Sequence, residues 1–427
     1  MRLLLPAIIA SACLAACGGS ATYTIGGTVS GLAGSGLVLR NNGGDDLVVS
    51  ASGTFKFATT LATGAAYNVT VSTQPGNPAQ TCVVSNGSGT VASSNVGNIA
   101  VSCATVFSAA TVNGAYLDVG YTAIGDRGTV SGISYDGAGA YIGSEVVNVA
   151  GSISGAVPVS GTYTVDAAGA IAATGGTVTT DGAVSTAGGT LAWAQLTPGS
   201  TPSVHVGIRQ GQSTFSNANV SGNYILVSHE QSGTAGNLLT ISCDGAGNWT
   251  GTGSRNQAGT ISSISISGTY TVAANGAMTF SPNGGTPLNG GVSVDGNTIL
   301  LSQTTSSGAT PVTAVAIRQG QGSATNGSLL GQYAFVNYDG ASNSVALLTL
   351  VADGAGNAAG TTFVNNGGTV TNSAVSTTYT VAADGTVTIA NGSATPLVGY
   401  LGADGSTIVA IDMQQGDLPV LTVGIGQ

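Results

Sequence analysis

The sequence repeats itself three times between about residue 111 and its C-terminus, and this triplication constrains the fold more than any other feature. The conserved spacing between copies is 107 to 109 residues. The recurring motifs are Gly-x-Tyr ending at Tyr116, Tyr224 and Tyr333; Asp-Gly-Ala-Gly starting at Asp136, Asp244 and Asp353; and Thr-Tyr-Thr-Val with Tyr163, Tyr270 and Tyr379. Solenoid repeats are only about 20–50 residues long. The longer period therefore predicts three whole domains, which we place at 111–212, 213–321 and 322–427.

Each repeat contains about eight short segments in which apolar and polar residues alternate, a pattern typical of β-strands with one buried face. Turn sequences such as Asp-Gly-Ala-Gly connect the segments, and their glycines supply the positive φ of tight hairpins. We therefore predict an all-β chain in which each repeat is an eight-stranded antiparallel meander. Closure into a barrel removes the two exposed edges. A sandwich in each repeat and one six-bladed propeller over all three are the alternatives.

The ends of the repeats resemble the calycin group of lipocalin- and avidin-like barrels. In that group a Gly-x-Trp motif on the first strand packs against an arginine on the last strand, and here Gly-x-Tyr stands in its place. The resemblance implies that Tyr116 contacts Arg209, and that Tyr224 contacts Arg318, through cation–π interactions that close each barrel. Tyr333 is the corresponding residue of the third repeat, whose last strand has no arginine.

Residues 23–104 precede the repeats and contain short alternating stretches separated by turn sequences, which predict a small β-sandwich. The phrase at 26–32 resembles a sandwich module of proteobacterial lipoproteins, which implies a spacer or interaction role without catalysis. Cys82 and Cys103 lie inside this domain, and an exported location permits a disulfide between them. Cys243 stands alone in the second repeat, where we expect a small buried side chain in a strand.

The N-terminus has the composition of an export signal, because a positive start precedes a 14-residue run of apolar and small residues. The run is shorter than the roughly 20 residues of a membrane-spanning helix. It ends in Leu14-Ala15-Ala16-Cys17, which resembles the lipobox of bacterial lipoproteins. The resemblance implies a signal peptide at 1–16, a lipidated Cys17 and a tether at 17–22; an ordinary signal peptide is the alternative. Gly18 is not aspartate, so the sorting pattern implies the outer membrane.

Charge and motif content narrow the classes of function. The chain has 7 Lys and Arg against 17 Asp and Glu, and because nucleic-acid binders need clustered positive charge, the balance excludes nucleic acid as a partner. The two histidines, His205 and His229, do not recur in other repeats and have no Gly-x-Ser-x-Gly elbow to work with. We expect both to be exposed or locally hydrogen-bonded.

Most aspartates precede a glycine, which explains them as hairpin residues; calcium binding in these loops is the alternative. No spacing typical of a zinc site occurs. We predict no metal site, no cofactor and no catalytic residue.

The sequence thus predicts a lipid-anchored lipoprotein of the bacterial cell envelope. Its contact with the membrane is the lipid anchor, and it acts as a non-catalytic surface or periplasmic interaction module for an envelope or extracellular partner. The first alternative is a carrier that binds small apolar molecules inside its barrels, near Trp193 or Trp249. The second is a hydrolase that uses His205 or His229. The sequence leaves open whether the three repeats touch.

Overall fold

The computed structural model describes most of the chain after the predicted signal peptide and forms 35 β-strands and three single-turn 3₁₀ helices in the residues it describes, which confirms the all-β prediction. Cys17 lies outside the described residues. The chain divides into two compact units, one before and one after the Thr105–Val106 bond. In the described ranges no helix is long and apolar enough to span a bilayer. The described residues are 21–76, 79–122, 127–149, 152–175, 178–186, 188–211, 214–230, 233–304, 311–320, 322–339, 342, 344–390, 396–412 and 419–427.

The first unit contains two four-stranded sheets, with strand orders β5-β2-β10-β8 and β4-β3-β7-β9, and the β1–β6 pair. Alternate residues of these strands point inward and form one apolar core. A disulfide joins Cys82 to Cys103, which are register partners on β8 and β10. The strands are β1 (Thr22–Tyr23), β2 (Ile25–Ser30), β3 (Leu37–Asn41), β4 (Asp45–Val49), β5 (Gly53–Lys56), β6 (Leu61–Ala62), β7 (Ala66–Thr73), β8 (Gln80–Ser85), β9 (Ser88–Thr90) and β10 (Val96–Thr105).

Barrel 1 is formed by the first repeat and is closed by the pairing of β19 with β11 and of β12 with β13. The short strand β14 pairs with β13 beside the barrel wall. A 3₁₀ turn at Ala109–Thr111 precedes the first strand of barrel 1. Its strands are β11 (Asn113–Thr122), β12 (Arg127–Asp136), β13 (Ala140–Val149), β14 (Ser152–Ile153), β15 (Val157–Val165), β16 (Ala170–Gly175), β17 (Val178–Val184), β18 (Thr190–Ala194) and β19 (Ser203–Arg209).

Barrel 2 follows after the 3₁₀ turn Asn217–Asn219 and closes through the pairing of β20 with β27. Its strands are β20 (Ser221–Glu230), β21 (Ala235–Asp244), β22 (Asn248–Gln257), β23 (Thr260–Val272), β24 (Ala277–Pro282), β25 (Leu288–Val292), β26 (Thr298–Ser302) and β27 (Val312–Arg318).

Barrel 3 follows after the 3₁₀ turn Asn326–Ser328 and closes through the pairing of β28 with β35. The first and last strands of each repeat thus pair with each other, so the sandwich and propeller alternatives are wrong. The strands of barrel 3 are β28 (Leu330–Asp339), β29 (Ser344–Asp353), β30 (Asn357–Asn366), β31 (Thr369–Val381), β32 (Thr386–Ile389), β33 (Leu397–Leu401), β34 (Thr407–Ile411) and β35 (Leu421–Gly426).

The three barrels pack against one another in a closed ring. The first strand of each barrel contacts the seventh strand of another: β11 meets β26, β20 meets β34, and β28 meets β18. The seventh strands are buried on both faces, since one face lines the lumen and the other meets a neighbouring barrel. The side chains between the barrels form one shared apolar core, which contains the equivalent residues Val119, Val227 and Val336.

Three aromatic rings meet where the barrels converge. Tyr121, His229 and Tyr338 occupy equivalent positions in the three repeats, and their ring centroids lie 3.9 to 5.8 Å apart. Equivalent backbone hydrogen bonds also link the barrels in sequence and back to the first. They run from Val294 N to Arg209 O, from Ala403 N to Arg318 O, and from Thr186 N to Gly426 O. The ring therefore has approximate threefold symmetry.

The Asp-Gly-Ala-Gly motifs form tight hairpin loops. In the first, Oδ1 of Asp136 accepts the backbone N–H groups of residues 138, 139 and 140 at 2.7 to 2.9 Å. In the second, a hydrogen bond from the Asn248 side chain, together with the loop N–H groups, lowers the pKa of Asp244 to about 2. The loop backbone accordingly uses these carboxylates as hydrogen-bond acceptors.

Candidate functional site

The lumen of barrel 1 contains a cavity of about 150 Å³. Its wall combines hydrogen-bonding and charged side chains with aromatic ones, as small-molecule sites usually do. The residues that give the cavity this character are Asp118, Ser131, Glu145, His205, Tyr135, Tyr141 and Trp193.

Strand register brings the polar residues together. Asp118 on β11 pairs with Ser131 on β12, and Ser131 pairs with Glu145 on β13. Directly opposed residues in an antiparallel pair have Cβ atoms about 4.5–5.5 Å apart, so these three side chains form a row across the wall. Two residues further along β11, Gly120 pairs with His205 on β19. Side chains two positions apart point to the same face, and four strands thus contribute to one polar cluster.

The His205 ring lies over Gly120. A Cβ atom at residue 120 would come within 2.3 Å of both the imidazole and Oγ1 of Thr129, so only glycine leaves room for the ring. His205 Nδ1 lies 3.0 Å from Oδ1 of Asp118, and an ionised Asp118 accepts a hydrogen bond from the Nδ1–H group. Thr129 is 1% exposed, and its Oγ1 has no hydrogen-bond partner among the described residues. A buried hydroxyl without a partner is costly, and this one lies at the edge of the polar cluster.

This arrangement does not complete a catalytic triad. A triad requires a nucleophile at Nε2 of the histidine whose Nδ1 binds the carboxylate. The Thr129 hydroxyl lies near Nδ1 and Cε1 of the His205 ring, since a Cβ atom at residue 120 would be 2.3 Å from all three atoms, and Asp118 already occupies Nδ1. Ser131 is the register partner of Asp118 and not of His205. In the described part of the lumen the geometry suits ligand binding better than nucleophilic attack.

Asp118 and His205 shift each other's pKa values. Burial raises the pKa of Asp118, which is 4% exposed, and the His205 charge and hydrogen bond oppose that change. Burial lowers the pKa of His205, but the interactions with Asp118 outweigh it and the net change is upward. The Glu145 carboxylate raises both pKa values further. The acidic groups of the lumen therefore favour positive charge at His205.

Glu145 connects the cluster to the rim of the barrel. Its Oε1 accepts a hydrogen bond from the Arg127 guanidinium at 3.0 Å. The Glu145 side chain is 18% exposed and that of Arg127 is 45% exposed, so solvent screens this ion pair strongly. Arg127 compensates Glu145 from outside. Among the described residues, the deeper Asp118 hydrogen-bonds to the side chains of His205 and Trp193, of which His205 can carry a charge.

Aromatic rings form the adjoining part of the wall, where Trp193 on β18 is the register partner of His205. The Tyr135 ring lies nearly parallel to Trp193, with a centroid distance of 6.5 Å and an interplanar angle of 17°. Its centroid is 5.7 Å from that of Tyr141. Tyr116 and Tyr163 hold Tyr135 in place by edge-to-face contacts at 5.2 and 5.1 Å. Burial raises the pKa of the Tyr135 hydroxyl, which keeps it neutral.

Among the described residues, the lumens of barrels 2 and 3 have apolar side chains at the place of Asp118. Leu226 and Phe335 occupy the place of Asp118, two residues after the Gly-x-Tyr tyrosine, and are buried in apolar cores. In barrel 2, Trp249 stacks on Phe280 with centroids 4.3 Å apart. In the part of barrel 3 that the structure describes, the lumen contains a small apolar gap of about 20 Å³. A further cavity of about 180 Å³, beside Leu401, is lined in the described residues by glycine, alanine, serine and leucine and has no charged side chain.

The predicted closure residues lie beside each other on the first and last strands. Arg209 Cζ lies 5.5 Å from the Tyr116 ring centroid, and Arg209 Nε donates to the Tyr116 hydroxyl at 3.1 Å. Arg318 Cζ lies 4.8 Å from the Tyr224 ring centroid. Tyr333 is buried, and its hydroxyl donates to backbone carbonyls at 3.4 and 3.5 Å. That these contacts close the barrels remains a prediction.

The expectation for the histidines was wrong in both cases. Their hydrogen-bond partners are distant in sequence: Asp118 for His205, and Pro419 and Tyr121 for His229. His229 lies inside β20 and is 1% exposed at the junction of the barrels. Cys243 is buried in β21, as expected.

Sequence reasoning missed Asp118, Gly120 and Thr129. The available signal was a break in the repeat: a carboxylate in repeat 1 where the other copies have Leu226 and Phe335. A charged residue inside an apolar strand pattern is informative because buried carboxylates are rare unless they are paired.

Comparison with known proteins assigns no family. No protein family matches the sequence, and no curated protein does. A solved structure of isotype 1 transferrin binding protein B from serogroup B Neisseria meningitidis aligns at 9% identity over 70% of this chain and 66% of that one, with a TM-score of 0.23. The H. pylori β clamp in complex with diflunisal aligns at 9% identity over 73% and 90%, with a TM-score of 0.10. TM-scores and sequence identities this low assign neither a fold nor a function to the chain.

Proposed function

We propose that this chain is a lipid-anchored, non-catalytic binding protein of the bacterial cell envelope, with the three-barrel ring as its interaction module and the lumen of barrel 1 as its small-molecule site. The observation that carries the proposal is the polar cavity of barrel 1. Its sister barrels use the same strands and register, yet fill the equivalent space with apolar side chains. A buried carboxylate lowers stability unless another interaction compensates it, and ligand binding is a reason to keep one.

The ring supports the proposal because it makes the site rigid. Barrel 1 is fixed on the face formed by β11, β18 and β19, which packs against the other two barrels. A site on strands that are held in this way needs little reordering when it binds a ligand, and this lowers the cost of binding. The apolar-carrier alternative has less support, because the lumens of barrels 2 and 3 are largely filled.

Native mass spectrometry of the mature protein, exported and gently purified from its own host, tests the small-molecule site. We expect extra mass that is released on unfolding, and we expect Asp118→Leu to lose it. Leu226→Met, a volume-conserving change in the apolar lumen of barrel 2, is the matched control and should retain the extra mass. A bare polypeptide mass for the wild type would contradict the proposal.

The anchor has a separate test. Cells that express Cys17→Ser should fail to incorporate labelled fatty acid into the protein, because the lipobox cysteine supplies the thioether. Cys13→Ser removes the neighbouring leader cysteine and should leave the labelling intact. Labelling of the Cys17→Ser protein would refute the lipid anchor and leave the binding site untouched.

A further inference from the structure

We propose that the ligand of barrel 1 is a small organic cation, whose charged group lies near Asp118 and Glu145 and against the rings of Tyr135 and Trp193. This inference rests on the proposed function, because it presupposes that the lumen binds a small molecule. It adds the chemical class of that molecule, from the charge, the aromatic surface and the volume of the cavity.

The charge of the wall favours a cation. The cavity is lined by two acidic side chains, Asp118 and Glu145, and its one histidine hydrogen-bonds to the deeper acid. Arg127, the ion-pair partner of Glu145, is not among the lining residues and is largely exposed. Even with His205 positively charged, the two carboxylates leave the lining with an excess of negative charge, so an anion in the lumen would be repelled.

The aromatic wall provides the second half of a cation site. A cation over the face of Trp or Tyr, within about 6 Å of the ring centroid, is attracted by the electrons of the ring. Barrel 1 offers three such rings at the cavity, Tyr135, Tyr141 and Trp193. Barrel 2 has Cys243 and Trp249 at the places of Tyr135 and Tyr141, and there the tryptophan is already stacked on Phe280.

The volume sets the size of the cation. A cavity of about 150 Å³ is as large as an engineered protein cavity that admits benzene. It therefore accommodates a head group of roughly six to eight non-hydrogen atoms, with any longer tail directed to the rim near Glu145. The hydroxyl of Ser131, which lines the cavity, can accept a hydrogen bond from a primary or secondary ammonium.

A neutral polyol is the competing class, because aromatic rings and carboxylates also bind sugars. It fits less well, since an uncharged ligand would displace water from two carboxylates and one imidazole without compensating the excess of negative charge. The two classes differ in one property, the formal charge of the ligand, and a pair of probes with the same shape separates them.

The two tryptophans of the chain allow a direct measurement. In the full mature protein, Trp249→Phe leaves Trp193 as the single indole in the barrel 1 cavity, and Trp193→Phe leaves Trp249 in barrel 2 as the control. The probes are choline and its neutral carbon analogue 3,3-dimethyl-1-butanol, titrated at low ionic strength, with glucose as the polyol. We expect choline to change Trp193 fluorescence saturably, to bind at least about ten-fold more tightly than its neutral analogue, and to leave Trp249 unaffected.

Two substitutions locate the charge. Asp118→Asn should weaken choline binding about ten-fold or more, because it removes the buried charge and keeps the shape. Asp166→Asn makes the same change in an exposed turn of barrel 1 and should leave binding within about two-fold. If Asp118→Asn does not fold, Tyr141→Ala, which introduces the residue of barrel 3, tests the aromatic wall and should also weaken choline.

Each outcome is decisive. Equal binding of choline and its neutral analogue, or binding of glucose alone, would overturn the cation class and leave the small-molecule site standing. Absence of binding of all three probes to a host-derived protein that carries a releasable neutral mass would do the same. Absence of any probe binding and of any releasable mass would overturn both proposals.

Discussion

Barrels 1 and 2 have the same architecture, but the lumen of barrel 1 is lined by charged and polar side chains and that of barrel 2 by apolar ones. Both have a Tyr–Arg contact between the first and last strands, and both contribute equivalent strands to the shared core. They differ at the lumen, where barrel 1 has Asp118 and His205 and barrel 2 has Leu226 and Ala314. The outward face of these strands packs against the neighbouring barrels in both cases, whereas the side chains on the inward face differ from one barrel to the next.

Exchanging the residues that differ should produce the largest effect. Leu226→Asp places a carboxylate in an apolar lumen that has Ala314 where barrel 1 has His205, and we expect it to cost about 3–5 kcal/mol. Asp118→Leu in barrel 1 should cost less than half as much, because the cavity already admits solvent and the other two copies accept a large apolar residue there. Urea unfolding of both variants measures the difference. Equal costs would show that the two lumens are not distinct environments.

The two histidines extend the comparison to pH. His229 is buried and its pKa falls to about 4, because burial disfavours the imidazolium; the pKa of His205 moves upward. Near pH 6.5 the histidine is protonated in the unfolded chain, whereas in the folded protein His229 stays neutral until about pH 4. The contribution of His229 to the free energy of unfolding is therefore present above pH 6.5 and is lost as pH falls toward 4. That loss amounts to about 2–3 kcal/mol. His205 acts in the opposite direction, since its contribution is present at low pH and lost as pH rises through its raised pKa.

Two measurements check this pair. NMR titration of the imidazole signals should give one pKa well below 6.5 and one above it. His229→Tyr, which introduces the residue of both sister barrels, should remove the acid-side loss of stability between pH 6.5 and 4.5. If the variant and the wild type lose the same stability, His229 is not the group that titrates.

Much of this architecture follows from the sequence, because strand period and triplication are local or repetitive signals. Hairpin loops around Asp136, Asp244 and Asp353 and the eight-stranded meander were predictable on that basis. The packing of the three barrels into a ring is indicated less strongly by the sequence. The seventh strands, such as Thr298–Ser302, are apolar on both faces, which indicates burial on both sides. The sequence alone does not say which surface covers the second face.

The site itself could not be predicted, because it depends on register between strands that are distant in the chain. Asp118 and His205 are 87 residues apart and meet only when β19 closes against β11. An alignment of the repeats singles out Asp118 as an exception to an apolar column, but it does not show which side chain will lie beside it.

A smaller effect should come from the closure contacts, where barrel 3 provides the contrast. Arg318→Gln removes the guanidinium from barrel 2, as in barrel 3, where Gly426 stands at the equivalent place on the last strand. It removes the contact with Tyr224 and hydrogen bonds to the carbonyls of Asn219 and Gly296, and we expect a loss of about 1–2 kcal/mol. Thermal unfolding of Arg318→Gln beside Arg318→Lys separates loss of the planar group from loss of charge. An unchanged midpoint would mean that the Tyr–Arg contact does not close the barrel.

The smallest effect should come from Cys243, which stands where barrel 1 has Tyr135 and barrel 3 has Ala352. Burial raises the pKa of its thiol to about 12, so in the folded protein it should be almost unreactive toward a thiol reagent. Unfolding without reductant should release one reactive thiol from the mature chain, because Cys82 and Cys103 are bridged. Cys243→Ala, which introduces the residue of barrel 3, should cost about 1 kcal/mol or less. Fast reaction of the native thiol would show that the lumen of barrel 2 is open to solvent. The two lumens would then differ in the polarity of their side chains and not in their accessibility.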